Sequence, residues 1–267
     1  MNEPSSYSES SFLEVTRGQL DNIFRLKYGS PATGWGPRMR WHAGHFNPDD
    51  HYEALVERLV ESGCRWLDVG CGRNVFPSNE RLAKVLADRC GLLVGVDPDP
   101  TVMENPFVHR KVKAPLEDLE SEEPFDLVTL RMVAEHVQNP AKFTQSLARC
   151  TARGGRVVVY TVNRFSPVPL ITSAVPFALH HRAKRILWES ESKDTFPTYF
   201  RMNTRRRLRK IFESASFSEV FFAHLDDCRT TGGFRLLQRL ELGLWRTLRT
   251  LRMRYPENCL LGVYRKS

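Results

Sequence analysis

The chain has 267 residues, 41% of them hydrophobic, and a formal net charge of +8. That length suits one α/β domain with additions, and two full domains would be crowded. No run of 18 apolar residues marks a membrane-spanning helix, and the start, Met1 to Ser6, lacks the basic and apolar regions of a secretory signal. The six cysteines are scattered without a C-x-x-C pair, so reduced thiols in a cytoplasmic protein are expected. Residues 1–150 carry 17 Lys and Arg against 22 Asp and Glu, whereas residues 151–267 carry 22 against 9. The basic second half is open to two readings: a solvated surface, or a contact with an anionic partner such as an acidic membrane.

In chain order, residues 1–16 are rich in Ser and Glu and predict little order. Leu20, Ile23, Phe24 and Tyr28 fall at helical spacing over 17–28. Gly29 to Pro48 reads as a loop, yet Trp35, Trp41 and Phe46 imply that it packs onto something. Residues 1–47 are therefore an N-terminal extension, read as a lid over a ligand. His42, His45 and His51 lie close together but lack carboxylate or thiol neighbours to complete a metal site, so no metal is predicted. Asn47-Pro48-Asp49 starts a helix that ends at Gly63.

The alternation that follows predicts a doubly wound parallel sheet. Strands are expected at Arg65–Val69, Leu92–Val96, Phe107–Val112, Phe125–Leu130 and Arg156–Val162, with Phe217–Leu225 and Cys259–Tyr264 completing seven. His109, Arg110 and Lys111 give the third an edge-like character. Helices are predicted at Ser78–Arg89, from Pro140 to about Ala152, at Asn203–Ser214 and at Phe234–Met253. Gly154-Gly155 is expected to turn into the fifth strand. Prolines at 167, 169, 176 and 197 break residues 163–202, an insertion near the ligand edge that includes the apolar stretch Leu170–Leu179.

The motif Leu67-Asp68-Val69-Gly70-Cys71-Gly72 ends the first strand, and Gly95-Val96-Asp97 ends the second. Glycines there let backbone approach a ligand, and an acid ending the next strand can bind ribose hydroxyls. Gly70-x-Gly72 lacks a third glycine, and Pro77 delays the next helix, which disfavours a nicotinamide dehydrogenase.

With Pro124-Phe125-Asp126-Leu127-Val128, Glu135-His136-Val137 and Gly154-Gly155-Arg156-Val157, this order resembles a class I S-adenosylmethionine-dependent methyltransferase over about residues 48–267. The resemblance implies a three-layer, Rossmann-like α/β/α fold, with the last of seven strands antiparallel between the fifth and sixth. It also implies S-adenosyl-L-methionine as cofactor. Gly70 and Gly72 would then line its methionine and ribose portion, Asp97 would hold both ribose hydroxyls, and Pro98 would flank the adenine. Leu116 would offer its backbone N–H to the adenine edge, Asp68 would tie down the glycine loop, and Arg131 would face the sulfonium. Two positions depart from the family pattern. Asn74 replaces a glycine and would adopt the left-handed turn conformation. Pro115 replaces an acid, so Glu117 or Asp118 would have to serve the adenine.

His136, after the fourth strand, is the candidate base, weighed against a structural role in which it pairs with a loop carbonyl. Tyr160, Asn163, Tyr199 and Arg201 are secondary candidates at the pocket mouth. No Asn-Pro-Pro-Tyr-like motif follows the fourth strand, so nucleic acid is not an expected partner. The acceptor read from the resemblance is a small or lipid-like molecule methylated at oxygen or carbon. The alternative is a non-catalytic module that binds an S-adenosyl ligand and an anionic partner. Within Phe234–Met253, Leu237, Leu240, Leu244, Leu248 and Leu251 fall opposite Arg235, Arg239, Arg246 and Arg249. That stripe is expected either to cover the sheet or to rest on anionic lipid, making the protein cytoplasmic or membrane-peripheral. Nothing in the sequence sets the oligomeric state.

Overall fold

The computed structural model describes residues 11–30, 32–121, 123–174 and 196–267. Strands β1 (Arg65–Val69), β2 (Leu92–Asp97), β3 (Arg110–Lys113), β4 (Phe125–Arg131), β5 (Thr151–Val162), β6 (Phe217–Asp226) and β7 (Asn258–Lys266) form one sheet in the order β3-β2-β1-β4-β5-β7-β6. Strands β1 to β5 pair in parallel, while β7 runs antiparallel to both β5 and β6. This is the seven-stranded, doubly wound arrangement expected, with β3 at an edge as its charged residues predict. Val69 is level with both Val96 and Leu130, so β1, β2 and β4 end together at one edge of the sheet.

Helices α1 (Arg17–Tyr28), α2 (Trp35–Ala43) and α3 (Pro48–Leu59) precede the sheet. Helix α1 opens on a capping box, in which the Gln19 N–H donates to Thr16 Oγ1 and the Thr16 N–H to Gln19 Oε1. Helix α2 corrects the loop expected at 29–48. Pro37 falls in its first turn, where backbone N–H groups lack helical partners anyway. Gly34 and Gly44 bracket the helix at φ of 86° and 73°, values that favour glycine. The aromatics then explain themselves, since Trp41 lies 5.0 Å from the Phe24 ring and 6.4 Å from Phe46. Leu20, Ile23 and Phe24 of α1 share a buried cluster with Trp66 of β1 and Tyr160 of β5. The N-terminal helices therefore pack on the same core as the sheet.

The seam between α1 and α3 is ionic. Lys27 Nζ lies 2.7 Å from Asp50 Oδ1 and 2.7 Å from Glu53 Oε1, with all three side chains almost wholly buried. Burial alone would push the ammonium toward neutrality, but the two carboxylates outweigh it and raise the Lys27 pKa. Glu53 is raised to about 7, chiefly by burial, against the pull of Lys27 and of an Asn79 amide 2.8 Å away.

Between and after the strands come α4 (Glu80–Arg89), α5 (Pro140–Cys150), α6 (Pro167–Ala174), α7 (Arg205–Glu213) and α8 (Arg235–Thr250). Helix α5 stops short of the expected end because β5 begins at Thr151. Gly154-Gly155 is an irregularity inside the strand rather than a turn before it. The pairing slips between Phe125–Thr151 and Leu127–Arg156, and Gly154 sits at φ 77°. Helix α6 occupies part of the insertion, and Val175 to Leu179 of the apolar stretch lie outside the described residues. Among the described residues no helix is long and apolar enough to cross a membrane.

Of the two orientations left open for helix α8, the one in which its leucine stripe covers the sheet is not found. Its buried residues are Gln238, Glu241, Leu242 and Trp245, whereas Leu237, Leu240, Leu244 and Leu251 are exposed. Two of the polar groups on this buried face are paired, while Gln238 Oε1 is buried without a hydrogen-bond partner. Trp245 Nε1–H donates to Asp226 Oδ2 at 2.8 Å, and Tyr255 Oη–H and Thr231 Oγ1–H donate to the two oxygens of Glu241.

Candidate active site

At the edge where β1, β2 and β4 end lies a cavity of about 880 Å³, within the size range of small-ligand sites. Gly70 continues β1 by donating its N–H to Val96 O at 2.8 Å, then turns at φ 70°. A Cβ at this position would stand 2.4 Å from Val133 Cγ2, so space and backbone conformation both demand glycine. Gly70→Ala is therefore expected to lower the melting temperature by several degrees, and to weaken cofactor binding more than that loss explains. Thermal melts with and without S-adenosylhomocysteine would show whether ligand still stabilises the variant; full stabilisation would contradict the close approach.

Gly72, at φ 46°, donates its N–H to Asp97 Oδ2 at 2.9 Å. The Asp99 N–H donates to Asp97 Oδ1 at 2.8 Å, and the Asn105 amide holds the Gly72 carbonyl at 3.1 Å. Burial raises the Asp97 pKa, against the pull of the Asp99 and Gly72 N–H groups. The acid, and not Asp68, is thus what fastens the glycine loop.

The parallel register places Asp68 beside Thr129, and the Thr129 hydroxyl donates to Asp68 Oδ1 at 2.6 Å. That hydroxyl in turn accepts Trp66 Nε1–H at 2.8 Å. Burial lifts Asp68 to about 7 despite the Thr129 bond. The expected tie from Asp68 to the glycines is corrected: the carboxyl is spent across the β1–β4 seam, although it also borders the cavity. Asn74 needs no left-handed conformation, as the loop's positive-φ residues are Gly70 and Gly72. Its side-chain oxygen instead accepts the Phe76 N–H at 3.1 Å, a turn that asparagine supports and glycine could not.

Pro98, Leu116 and Glu117 line the same cavity, while Asp118 faces a separate surface depression. Of the two acids considered in place of Pro115, only Glu117 is in reach. Leu116 buries its side chain and opens a short 3-10 turn, so its N–H has no partner within that turn.

Arg131, ending β4, borders the cavity, but its charge is already paired with Asp49 of α3 at 3.0 Å. Asp49 is shared with Arg229, which also pairs with Asp227 at 2.6 Å. Burial would raise the Asp49 pKa, yet Arg131 and Arg229 together lower it. Met132 follows at φ 54°, a strained value for a non-glycine residue beside a cavity.

His136 lies on the cavity wall in the turn Ala134–His136. Its Nδ1 is 3.0 Å from the Pro197 carbonyl, which can only accept, so Nδ1 carries the hydrogen and Nε2 the free lone pair. Phe196 packs edge-on at 6.1 Å and also lines the cavity. The segment bearing Phe196 and Pro197 is held down by Glu135, whose backbone carbonyl accepts the N–H groups of Tyr199 and Phe200. The buried Glu135 carboxylate accepts Thr161 Oγ1–H at 2.7 Å, and Asn203 Nδ2 donates to that hydroxyl at 2.7 Å. Glu135 and Asp49 stood inside quoted stretches without being given these roles, because their partners lie 26 to 180 residues away.

The secondary candidates are not brought into the cavity. Tyr160 is fully buried, 5.2 Å from the Tyr52 ring. Asn163 pairs with Asn258, Tyr199 clips to Glu135, and Arg201 reaches the Gln138 carbonyl.

The residues fit an adenosyl cofactor. Each Asp97 oxygen accepts one backbone N–H, which leaves two of a carboxylate's acceptor positions for adjacent hydroxyls. A family signature described as a methyltransferase domain matches residues 43–220. A ubiquinone biosynthesis O-methyltransferase from Xylella fastidiosa (strain M23) is 31% identical over 176 residues, 60% of this chain and 65% of that protein. One from Maricaulis maris (strain MCS10) is 31% identical over 154 residues, 51% of this chain and 59% of that protein. The chain thus spans less than two-thirds of the length of these relatives. In fold alone, it is similar to 1,6-didemethyltoxoflavin-N1-methyltransferase from Burkholderia thailandensis. That structure shares 13% identity at a TM-score of 0.50, over 100% of this chain and 92% of the other. The signature spans most of the sheet and the whole cavity edge, and the chain belongs to the class I S-adenosylmethionine-dependent methyltransferases, a family whose cofactor is S-adenosyl-L-methionine.

Proposed function

We propose that this chain methylates a small or lipid-like acceptor, at oxygen in preference to carbon, within the cavity beside Gly70 and Asp97. The observation that carries the reading is the pairing, in one cavity, of a glycine and carboxylate cradle with an imidazole whose Nε2 lone pair is unspent. Bound S-adenosyl-L-methionine would supply an electrophilic methyl group on a sulfonium. Asp97 would accept both ribose hydroxyls, while Gly70 and Gly72 would admit the methionine portion close to backbone. Pro98 would flank the adenine, with the Leu116 N–H and Glu117 at its edge. Arg131 would not oppose the sulfonium with a bare charge, because Asp49 neutralises it. Asp68 would act one step back, setting β1 against β4.

His136 would take the proton from an acceptor hydroxyl at Nε2, its ring held in that tautomer by the Pro197 carbonyl. The preference for oxygen is supported by the O-methyltransferase relatives from X. fastidiosa and M. maris. Carbon acceptors of low acidity would give this histidine nothing to do.

The test is calorimetry with S-adenosylhomocysteine, followed by transfer of a labelled methyl group to phenols with and without a long alkyl tail. His136→Asn is expected to lower kcat by roughly 10²–10⁴ with cofactor affinity intact, and to flatten the pH profile. A variant that keeps wild-type kcat removes the base. Cofactor binding without transfer to any phenol or extract would favour a binding module instead.

A further inference from the structure

Helix α8 presents an apolar ridge to solvent. Leu236, Leu240, Leu244 and Leu251 are between 53% and 68% exposed, and Phe234, just before the helix, is 67% exposed. Isolated exposed leucines are ordinary, but a file of them at four-residue spacing on a helix with a completed inner face marks an interaction surface.

Topology fixes where this ridge lies. Helix α8 joins the end of β6 to the start of β7, and β7 runs antiparallel to its neighbours. Both ends of the connection therefore sit at the edge where β1, β2 and β4 finish beside the cavity. The connection leaving β5 starts at that same edge, and it exposes Phe165, Leu170 and Ile171. Two separate connections from that edge thus carry exposed apolar side chains.

The charge around the ridge is of one sign. Residues 234–254 hold six arginines and one acid, Glu241, which is buried and occupied by Thr231 and Tyr255. Arg235 and Arg239 lie 5.6 and 5.7 Å from the Trp35 ring centroid, contacts that hold the side chains without cancelling their charge. A second copy docked by two-fold symmetry would bring this arginine-rich face against itself, with no exposed acid to answer it.

We propose that α8, with the exposed residues after β5, rests on an anionic lipid bilayer. The leucines would enter the boundary between headgroups and acyl chains, the arginines would meet lipid phosphates, and the cavity mouth would face the membrane. The purpose of such docking rests on the lipid-like acceptor proposed above. Its test does not, since vesicle binding needs neither cofactor nor acceptor.

The full chain is floated with phosphatidylcholine vesicles, with and without phosphatidylglycerol. Binding is expected at low salt only when phosphatidylglycerol is present, and to fall as salt is raised. Leu240→Glu with Leu244→Glu should weaken it at least ~10-fold, on the loss of two inserted side chains. Neither residue lines the cavity, so affinity for S-adenosylhomocysteine should be unchanged. Absence of flotation at low salt overturns the proposal, as does undiminished binding by the double variant. A dimer seen by light scattering that the double variant disperses, without vesicle binding, assigns the ridge to a second copy and also overturns it.

Discussion

Replacing Asp97 with alanine is expected to weaken binding of S-adenosylhomocysteine about 100-fold or more. Two hydroxyls that donate to a buried carboxylate contribute roughly 1.5–3 kcal/mol each, and both are lost. The loss is compounded because the same carboxylate accepts the Gly72 and Asp99 N–H groups, so the alanine variant also frees the glycine loop. Asp97→Asn separates the two effects. It keeps one oxygen for a hydroxyl or for a loop N–H, and an intermediate loss of about 10-fold is expected. Calorimetric titration of the three proteins measures this directly. Wild-type affinity in Asp97→Ala would remove the ribose role from this residue, whatever the loop then does.

Lys27→Met is expected to destabilise the protein by about 3–5 kcal/mol, the usual consequence of leaving buried carboxylates without their cation. Asp50 and Glu53, side by side on α3, would then face the α1–α3 seam with only the Asn47 N–H and the Asn79 amide for company. The effect has a sign in pH. Glu53 already titrates near 7 in the folded protein, above the ordinary glutamate value. A carboxyl whose folded pKa is raised contributes fully below its unfolded pKa, and that contribution is lost as pH climbs through the folded one. Lys27→Met should therefore be most damaging above pH 7 and partly relieved toward pH 5, where Glu53 protonates. Urea midpoints at the two pH values measure it. Adding Asp50→Asn and Glu53→Gln should recover much of the loss, and a triple variant no better than the single one would locate the damage elsewhere.

What the sequence made legible follows a physical pattern. The strands of the parallel half were readable because burial on both faces demands largely apolar runs such as Leu92–Val96. Gly70, Gly72 and Asp97 were readable because the glycine loop and the acid stand at fixed places on neighbouring strands. Helix α2 was missed because glycine and proline normally punctuate, and here they cap. Asp68 was given the wrong partner because Thr129, 61 residues on, becomes its neighbour only through the β1–β4 register. The orientation of helix α8 stayed open for a related reason. A helical wheel ranks faces by hydrophobicity, whereas Glu241 is buried because Tyr255 and Thr231 supply its hydrogen bonds. Glu135 stood inside a recognised motif, but nothing local said that it would clamp residues 199 and 200.

The place of β7 carries a consequence for how the chain comes together during synthesis. It lies between β5 and β6, yet follows both in sequence. Until it arrives, β5 has one open edge and β6 has no partner in the sheet, so the growing polypeptide carries unpaired apolar strands after most of its residues have emerged. The Asp49–Arg229 bond, which spans 180 residues, can close only late as well. A chain stopped ahead of Asn258 would keep an intact glycine loop in its sequence, but would present sticky strand edges to chaperones and to other copies of itself.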